Sequence, residues 1–233
     1  MFDHVLVHAR EQPVMALGQA PPGLLSPAEE VVLAGLTMVP RRRKWLLGRW
    51  AAKRLLGELG VKGTSIFNDG VGVPYIVQED EARSPISLSI SHRGEWGLAA
   101  VARAPGVTIG ADLETVEPRD PAFVRQFFSE AEAEQVAKAG SEHAADLLVA
   151  RIWSAKEAVL KVMGIGLRHD TRDIMVGDEI AAPAGVTEDW RGLEVRLAPV
   201  LETRVSPRSL TLLWRDLGSH VITVALLRST DCS

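Results

Sequence analysis

Two carboxylates on one face of a single strand leave a chain few ways to cover that face. Ile109 to Glu114 reads I-G-A-D-L-E. As a strand it sets Ile109, Ala111 and Leu113 on one face and Gly110, Asp112 and Glu114 on the other. The helical stretch Trp153 to Lys161, W-S-A-K-E-A-V-L-K, offers a partner. It puts Glu157 and Lys161 four apart on one stripe, flanked by Trp153, with Ala155, Val159 and Val162 turned inward. If strand and helix face each other, Asp112, Glu114 and Glu157 converge. Three carboxylates repel unless a cation stands among them, and oxygen ligands with room for waters and a substrate phosphate suit Mg²⁺ better than zinc. The residues alone point to a magnesium site that handles a phosphate ester. Taken singly, Glu157 and Lys161 read as a surface ion pair worth a few tenths of a kcal/mol.

At 233 residues the chain is long for one simple domain and short for two large ones, so one domain or two fused halves is expected. Its net charge of -4 argues against a general nucleic-acid binder, although a local basic patch can still hold a phosphorylated ligand. Cys232 is the single cysteine and closes no internal disulfide. The first thirty residues show no basic-then-apolar leader, and no apolar run reaches membrane-spanning length. A cytoplasmic protein with no membrane or nucleic-acid partner is the expectation.

In chain order, Val5–Val7 with Val14–Leu17 supply a first strand or edge. Ser26-Pro27-Ala28-Glu29 is a capping box that opens a helix running to about Val39. A second helix follows from Arg41 to Leu59 and ends at Gly60. Arg42, Arg49 and Lys53 fall on one stripe of it. Such a stripe is commonly a solvated face. The adjacent run Arg41-Arg42-Arg43-Lys44, inside an acidic protein, makes it a candidate anchor for a phosphate. The Gly-containing loop Asn68 to Pro74 reads as a turn. A strand over Ile86–Ile90 ends at Ser91-His92, a position where sites are built. Trp96–Ala102 and Val107–Glu114 read as a hairpin turning at Ala104-Pro105-Gly106, which would bring Ser91 and His92 within reach of the carboxylates. Phe123, Phe127 and Phe128 read as packing. Ser129-Glu130-Ala131-Glu132 is a second capping box, and a long helix spans about Glu142 to Met163. Strands near Thr171–Val176 and Leu193–Leu197 precede a final hairpin, Leu210–Trp214 with Val221–Leu227. No short sequence repeat stands out. The order of elements predicts an α+β fold of two similar halves forming a pseudo-dimer: an N-terminal half, 1–104, with the basic helix, and a C-terminal half, 105–233, with the acidic site.

Ser91-His92, G-A-D-L-E at Gly110–Glu114, F-F-S-E-A-E at Phe127–Glu132, and W-S-A-K-E-A-V-L-K followed by G-I-G-L at Gly164–Leu167 occur in an order and at separations that resemble the 4'-phosphopantetheinyl transferases of the monomeric, Sfp-like type. The resemblance covers roughly Ile86 to Leu167. It implies transfer of the phosphopantetheine arm of coenzyme A onto a serine of an acyl or peptidyl carrier protein, dependent on Mg²⁺, with release of 3',5'-adenosine diphosphate. It also implies a monomer. Carried over, Asp112, Glu114 and Glu157 hold the metal, Lys161 contacts the pyrophosphate, and Ser91 and His92 meet a phosphate of the coenzyme. Arg42, Arg49 and Lys53 are candidates for the 3'-phosphate. Glu157, with Asp112 and Lys161 beside it, is the candidate proton acceptor. Many relatives have a lysine where this chain has Val73, and the missing cation at the adenosine end either weakens coenzyme A binding or shifts that contact to Arg43 or Arg93. A silent homologue that binds coenzyme A or a carrier, and a magnesium-dependent phosphoesterase, remain open. Nothing in the sequence says whether fatty-acid, polyketide or nonribosomal-peptide carriers are served.

Overall fold

The computed structural model describes residues 2–78, 82–166, 169–203, 205 and 209–229. Leu167 and Cys232 lie outside the described residues. The protein is α+β and divides into two compact units, Phe2–Pro105 and Gly106 onward. Among the described residues no helix is long and apolar enough to cross a membrane.

The N-terminal unit is built from β1 (Phe2–His8), α1 (Pro27–Ala34), α2 (Val39–Glu58), β2 (Ser65–Asn68), β3 (Pro74–Val77), β4 (Ser87–Arg93) and β5 (Trp96–Ala102). Its main sheet is antiparallel in the order β1-β5-β4, with β2 and β3 forming a separate ladder. Helix α1 begins on the expected capping box, Ser26 accepting from Glu29 N–H, but it stops at Gly35. Helix α2 starts two residues earlier than expected, because Pro40 fits its first turn, where no N–H is needed. Its apolar face, Leu46, Leu47, Ala51, Leu55 and Leu56, joins Val7, Leu88, Ala99 and Val101 in one core. One further expectation fails here. Val14–Leu17 belongs to a 3₁₀ turn, Pro13–Leu17, rather than a strand. Asn68–Pro74 is the turn of the β2–β3 hairpin, whose four-residue strands are too short to announce themselves by alternation.

The C-terminal unit runs β6 (Val107–Thr115), α3 (Pro121–Phe127), α4 (Glu130–Ala137), α5 (Glu142–Val162), β7 (Ile174–Ile180), β8 (Arg191–Leu197), α6 (Pro199–Glu202), β9 (Leu210–Asp216) and β10 (His220–Arg228). Its five strands lie in the order β6-β10-β9-β8-β7. The β9–β10 hairpin forms as expected and turns at Gly218, whose φ of 79° suits glycine. The expected hairpin of Trp96–Ala102 with Val107–Glu114 does not form. Strand β5 pairs with β1 and β4, whereas β6 pairs along its length with β10, Asp112 opposite Thr223 and Glu114 opposite Val221. A strand more than a hundred residues away outcompetes the sequence neighbour. With it goes the sequence argument that placed Ser91 and His92 beside the carboxylates.

The two units share more than their class. In each, the capping-box glutamate is buried, reaches across to the long helix, and accepts a strand N–H. Glu29 accepts from Ser26 N–H and Ile66 N–H and pairs with Lys53 at 2.9 Å. Glu132 accepts from Ser129 N–H and Val176 N–H and pairs with Lys156 at 2.8 Å. Each lysine also donates to a backbone carbonyl, Lys53 to Thr64 and Lys156 to Thr171. S-P-A-E at 26–29 and W-A-A-K at 50–53 recur as S-E-A-E at 129–132 and W-S-A-K at 153–156, each 103 positions later. A short repeat is therefore present, against the expectation, in two four-residue pieces held at constant separation.

Candidate active site

Helix α5, which carries the candidate side chains Glu157 and Lys161, is clamped between the sheet and its own anchors. Gly110 sets its distance from β6: a Cβ there would stand 2.1 Å from the Ala158 carbonyl oxygen and 2.5 Å from Val162 N. Only glycine lets strand and helix backbones approach that closely. Gly110 therefore faces α5, and with it, two and four residues on, Asp112 and Glu114. The alternation read from the sequence is the one observed. Ser154 bonds Thr223 of β10 at 2.8 Å in the same buried layer. Lys156 is fully buried. Burial lowers its pKa, and the charge of Glu132 acts in the opposite sense.

Lys161 Nζ lies 2.7 Å from Asp112 Oδ1 and donates to the Ala111 carbonyl at 3.1 Å. Glu157 and Lys161 thus form no isolated surface pair: the lysine reaches over to the strand. Asp112 and Glu114 are buried at 4% and 8% exposure. Glu157 feels both. Burial first, then the charge of Asp112 and, more weakly, that of Glu114, push its pKa up to about 7, against the lowering pull of Lys161. Arg119, from the loop after β6, holds Glu114 at 2.8 Å and Glu117 at 3.4 Å. The sequence reading passed over Arg119, since loop arginines give no periodic signal.

Facing elements β6 and α5 thus carry three carboxylates, oxygen donors of the kind that Mg²⁺ takes. As the side chains stand, no group of three His, Cys, Asp or Glu residues among the described residues is drawn together around one point. Lys161 and Arg119 each hold one carboxylate of the set.

The other candidates lie in the N-terminal unit. Ser91 is buried and His92 exposed, adjacent on β4 and so on opposite faces. The basic stripe is the main correction. Arg42 donates to the carbonyls of Gly18, Leu33 and Leu36, closing the end of α1. Arg49 is 5% exposed, lies 3.7 Å from Glu29, bonds Asn68 and stacks on Trp45. Burial lowers its pKa to about 10. Lys53 is bound to Glu29 and Thr64. All three cations hold the unit together, so an outward phosphate-binding stripe is not what α2 presents. The cations exposed on α2 are Arg41, Lys44 and Arg54, the last held by Glu11 and Glu58, with Arg43 half-exposed on Glu95.

Residues 108–224, half of the chain, match the model of the 4'-phosphopantetheinyl transferase superfamily. The chain belongs to that superfamily. Two curated relatives are similar over the same proportion. The 4'-phosphopantetheinyl transferase psf-1 of Bacillus pumilus is 28% identical over 130 residues, 54% of this chain and 52% of its own. The slr0495 protein of Synechocystis sp. is 26% identical over 125 residues, 52% and 50% respectively. The chain spans about half the length of the curated relatives it matches. Among solved structures, a holo-(acyl-carrier-protein) synthase from Bacillus anthracis in complex with CoA (3',5'-ADP) is 22% identical with a TM-score of 0.34, covering 43% of this chain and 91% of that one. The holo-[acyl-carrier-protein] synthase of Thermotoga maritima is 14% identical with a TM-score of 0.38, covering 52% and 62%. Both carboxylates of β6 and the Glu157 and Lys161 positions of α5 lie within the superfamily match.

Proposed function

We propose that this chain transfers the 4'-phosphopantetheine arm of coenzyme A to the serine hydroxyl of an acyl or peptidyl carrier protein, with Mg²⁺, releasing 3',5'-adenosine diphosphate. The observation that carries this reading is the placing of Asp112 and Glu114 on the α5 side of β6, against Glu157 and Lys161, inside a domain of this superfamily. Asp112, Glu114 and Glu157 are the residues to hold the metal, which would supply charge neutralisation at the pyrophosphate. For that, Lys161 leaves Asp112 and turns to the pyrophosphate, and Arg119 releases Glu114. Glu157 accepts the proton of the serine hydroxyl directly or through a water. The serine oxygen bonds to the phosphopantetheine phosphorus as the bond from that phosphorus to the bridging oxygen breaks, and the electron pair leaves with 3',5'-adenosine diphosphate. Ser91 and His92 remain candidates for a coenzyme phosphate. For the 3'-phosphate the proposal moves to Arg43 and Lys44, which with Arg10 line a cavity of about 480 Å³ in the N-terminal unit. We take the chain to act as a cytoplasmic monomer.

Two other readings give different products. The ion pairs already formed by Asp112 and Glu114 favour a silent binder over a hydrolase, since a chain that never takes metal needs just such partners. Release of 3',5'-adenosine diphosphate from coenzyme A, followed with and without an apo carrier protein, separates all three. The transferase requires the carrier. A phosphoesterase releases the nucleotide without it, and a silent binder gives none in either case.

A further inference from the structure

The N-terminal unit contains a cavity of about 1050 Å³, at the upper end of the range of small-molecule sites. Its walls come from the loop at Pro21–Leu25, the start of α1, one side of α2 and the segment Val61–Ser65. Trp50, Phe67, Leu24 and Val61 give it an apolar body, and Lys53, Arg54 and Lys62 are its charged residues. Among the described residues no carboxylate lines it, in a chain that carries a net charge of -4. Lys53 and Arg54 are held from outside the cavity wall by Glu29, Glu11 and Glu58. Lys62 is exposed. The indole nitrogen of Trp50 is buried and has no hydrogen-bond partner.

The repeat shows what such a tryptophan packs against. Trp153, 103 positions after Trp50, is covered in the C-terminal unit by the rings of Phe123 and Phe127, at 4.9 and 5.0 Å between centroids. The positions that match these two phenylalanines by the same offset are Ala20 and Leu24. Neither supplies a ring. The N-terminal unit therefore keeps the aromatic seat while its own chain does not fill it, and Lys62, with Arg54 shared between Glu11 and Glu58, stands at its rim.

We propose that this cavity binds an aromatic carboxylate, its ring against Trp50 and Phe67 and its carboxylate towards Lys62 and Arg54. Edge-to-face packing on Trp50 selects a ring over a flexible acyl chain. A charge-assisted hydrogen bond from the basic rim selects the acid over its neutral analogue. The proposal is independent of the transferase reading, since it uses no residue of the carboxylate cluster.

The test is an indole N–H NMR titration of the full chain with 2-naphthoate, run beside 2-naphthalenemethanol and octanoate, with the Trp50 signal assigned through Trp50→Phe. The Trp50 resonance should move saturably with naphthoate, and both analogues should bind at least about fivefold more weakly. At Gly57, on the cavity wall, an added Cβ meets nothing within 4 Å. Gly57→Phe should therefore plug the site, abolishing the titration while the melting temperature stays level or rises. Lys62→Glu should weaken naphthoate at least about fivefold and leave the alcohol unchanged. The proposal is overturned by an unmoved Trp50 signal at about 5 mM naphthoate, by equal binding of the alcohol or of octanoate, or by a Gly57→Phe protein that still binds.

Discussion

At position 157 a carboxyl group that ordinarily ionises near pH 4.5 keeps its proton up to about pH 7, because it is half-buried beside Asp112 and Glu114. A folded pKa above the unfolded one means that the folded chain binds this proton more tightly. The ionised form is then a cost, absent below the unfolded value and fully felt above about 7. In metal-free buffer, Glu157→Gln should accordingly be more stable than wild type at pH 8, by about 1–3 kcal/mol, and lose that advantage as the pH falls towards 4.5. Urea melts with chelator at the two pH values measure it. A wild type equal to or more stable than the variant at pH 8 would contradict the repulsive cluster. Gly110 is the opposite kind of residue, indispensable for what it lacks. Gly110→Ala forces a methyl group into the α5 backbone and should cost about 3 kcal/mol or more, with loss of the Lys161–Asp112 contact. A melting temperature within a degree or two of wild type would show that α5 sits farther from β6 than described. The surface cations give a third contrast. Lys44→Glu should raise the KM for coenzyme A about tenfold at unchanged melting temperature, whereas Arg49→Met should act on stability before KM. The reverse pattern would return the phosphate site to the buried stripe.

At the scale of elements, the buried lysine–glutamate pair is the common joint between a capping-box helix and the long helix that follows. Lys156→Met leaves Glu132 ionised and buried with only its N–H and hydroxyl donors, which should cost about 3–5 kcal/mol. Adding Glu132→Gln should recover part of it, and thermal melts of the single and double variants read the coupling. Additive losses would mean that the pair is not a unit. These joints explain which elements the sequence could disclose. The faces of β6 and α5 were legible because alternation and helical spacing are local, and Gly110 fell on the right face by the same count. The partner of β6 was not legible, because β10 lies a hundred residues on and hairpin rules favour neighbours. The stripe on α2 misled for a related reason. Arg49 and Lys53 look solvent-facing until Glu29 is known to be buried, and a capping box gives no hint that its glutamate also reaches another helix. The available signal was the recurrence of S-x-A-E and W-x-A-K at constant separation. The same offset pairs Arg54 with Glu157 and Glu58 with Lys161. Arg54 bonds Glu11 and Glu58, so the N-terminal counterparts of Glu157 and Lys161 have their charges reversed, while Glu114 is matched by Glu11 and Asp112 by Ala9.

At the scale of the molecule, one chain of this superfamily joins two units with the same internal joint, and the second carries a set of carboxylates on facing strand and helix. The reaction proposed for it is tested most directly by intact-mass spectrometry of apo acyl and apo peptidyl carrier proteins, each incubated with the chain and coenzyme A, in Mg²⁺ or in chelator. The account predicts a gain of one phosphopantetheine on at least one carrier, present with Mg²⁺ and absent with chelator, and abolished by Asp112→Ala. No gain on either carrier while coenzyme A still binds, or a gain that survives chelation, would contradict it.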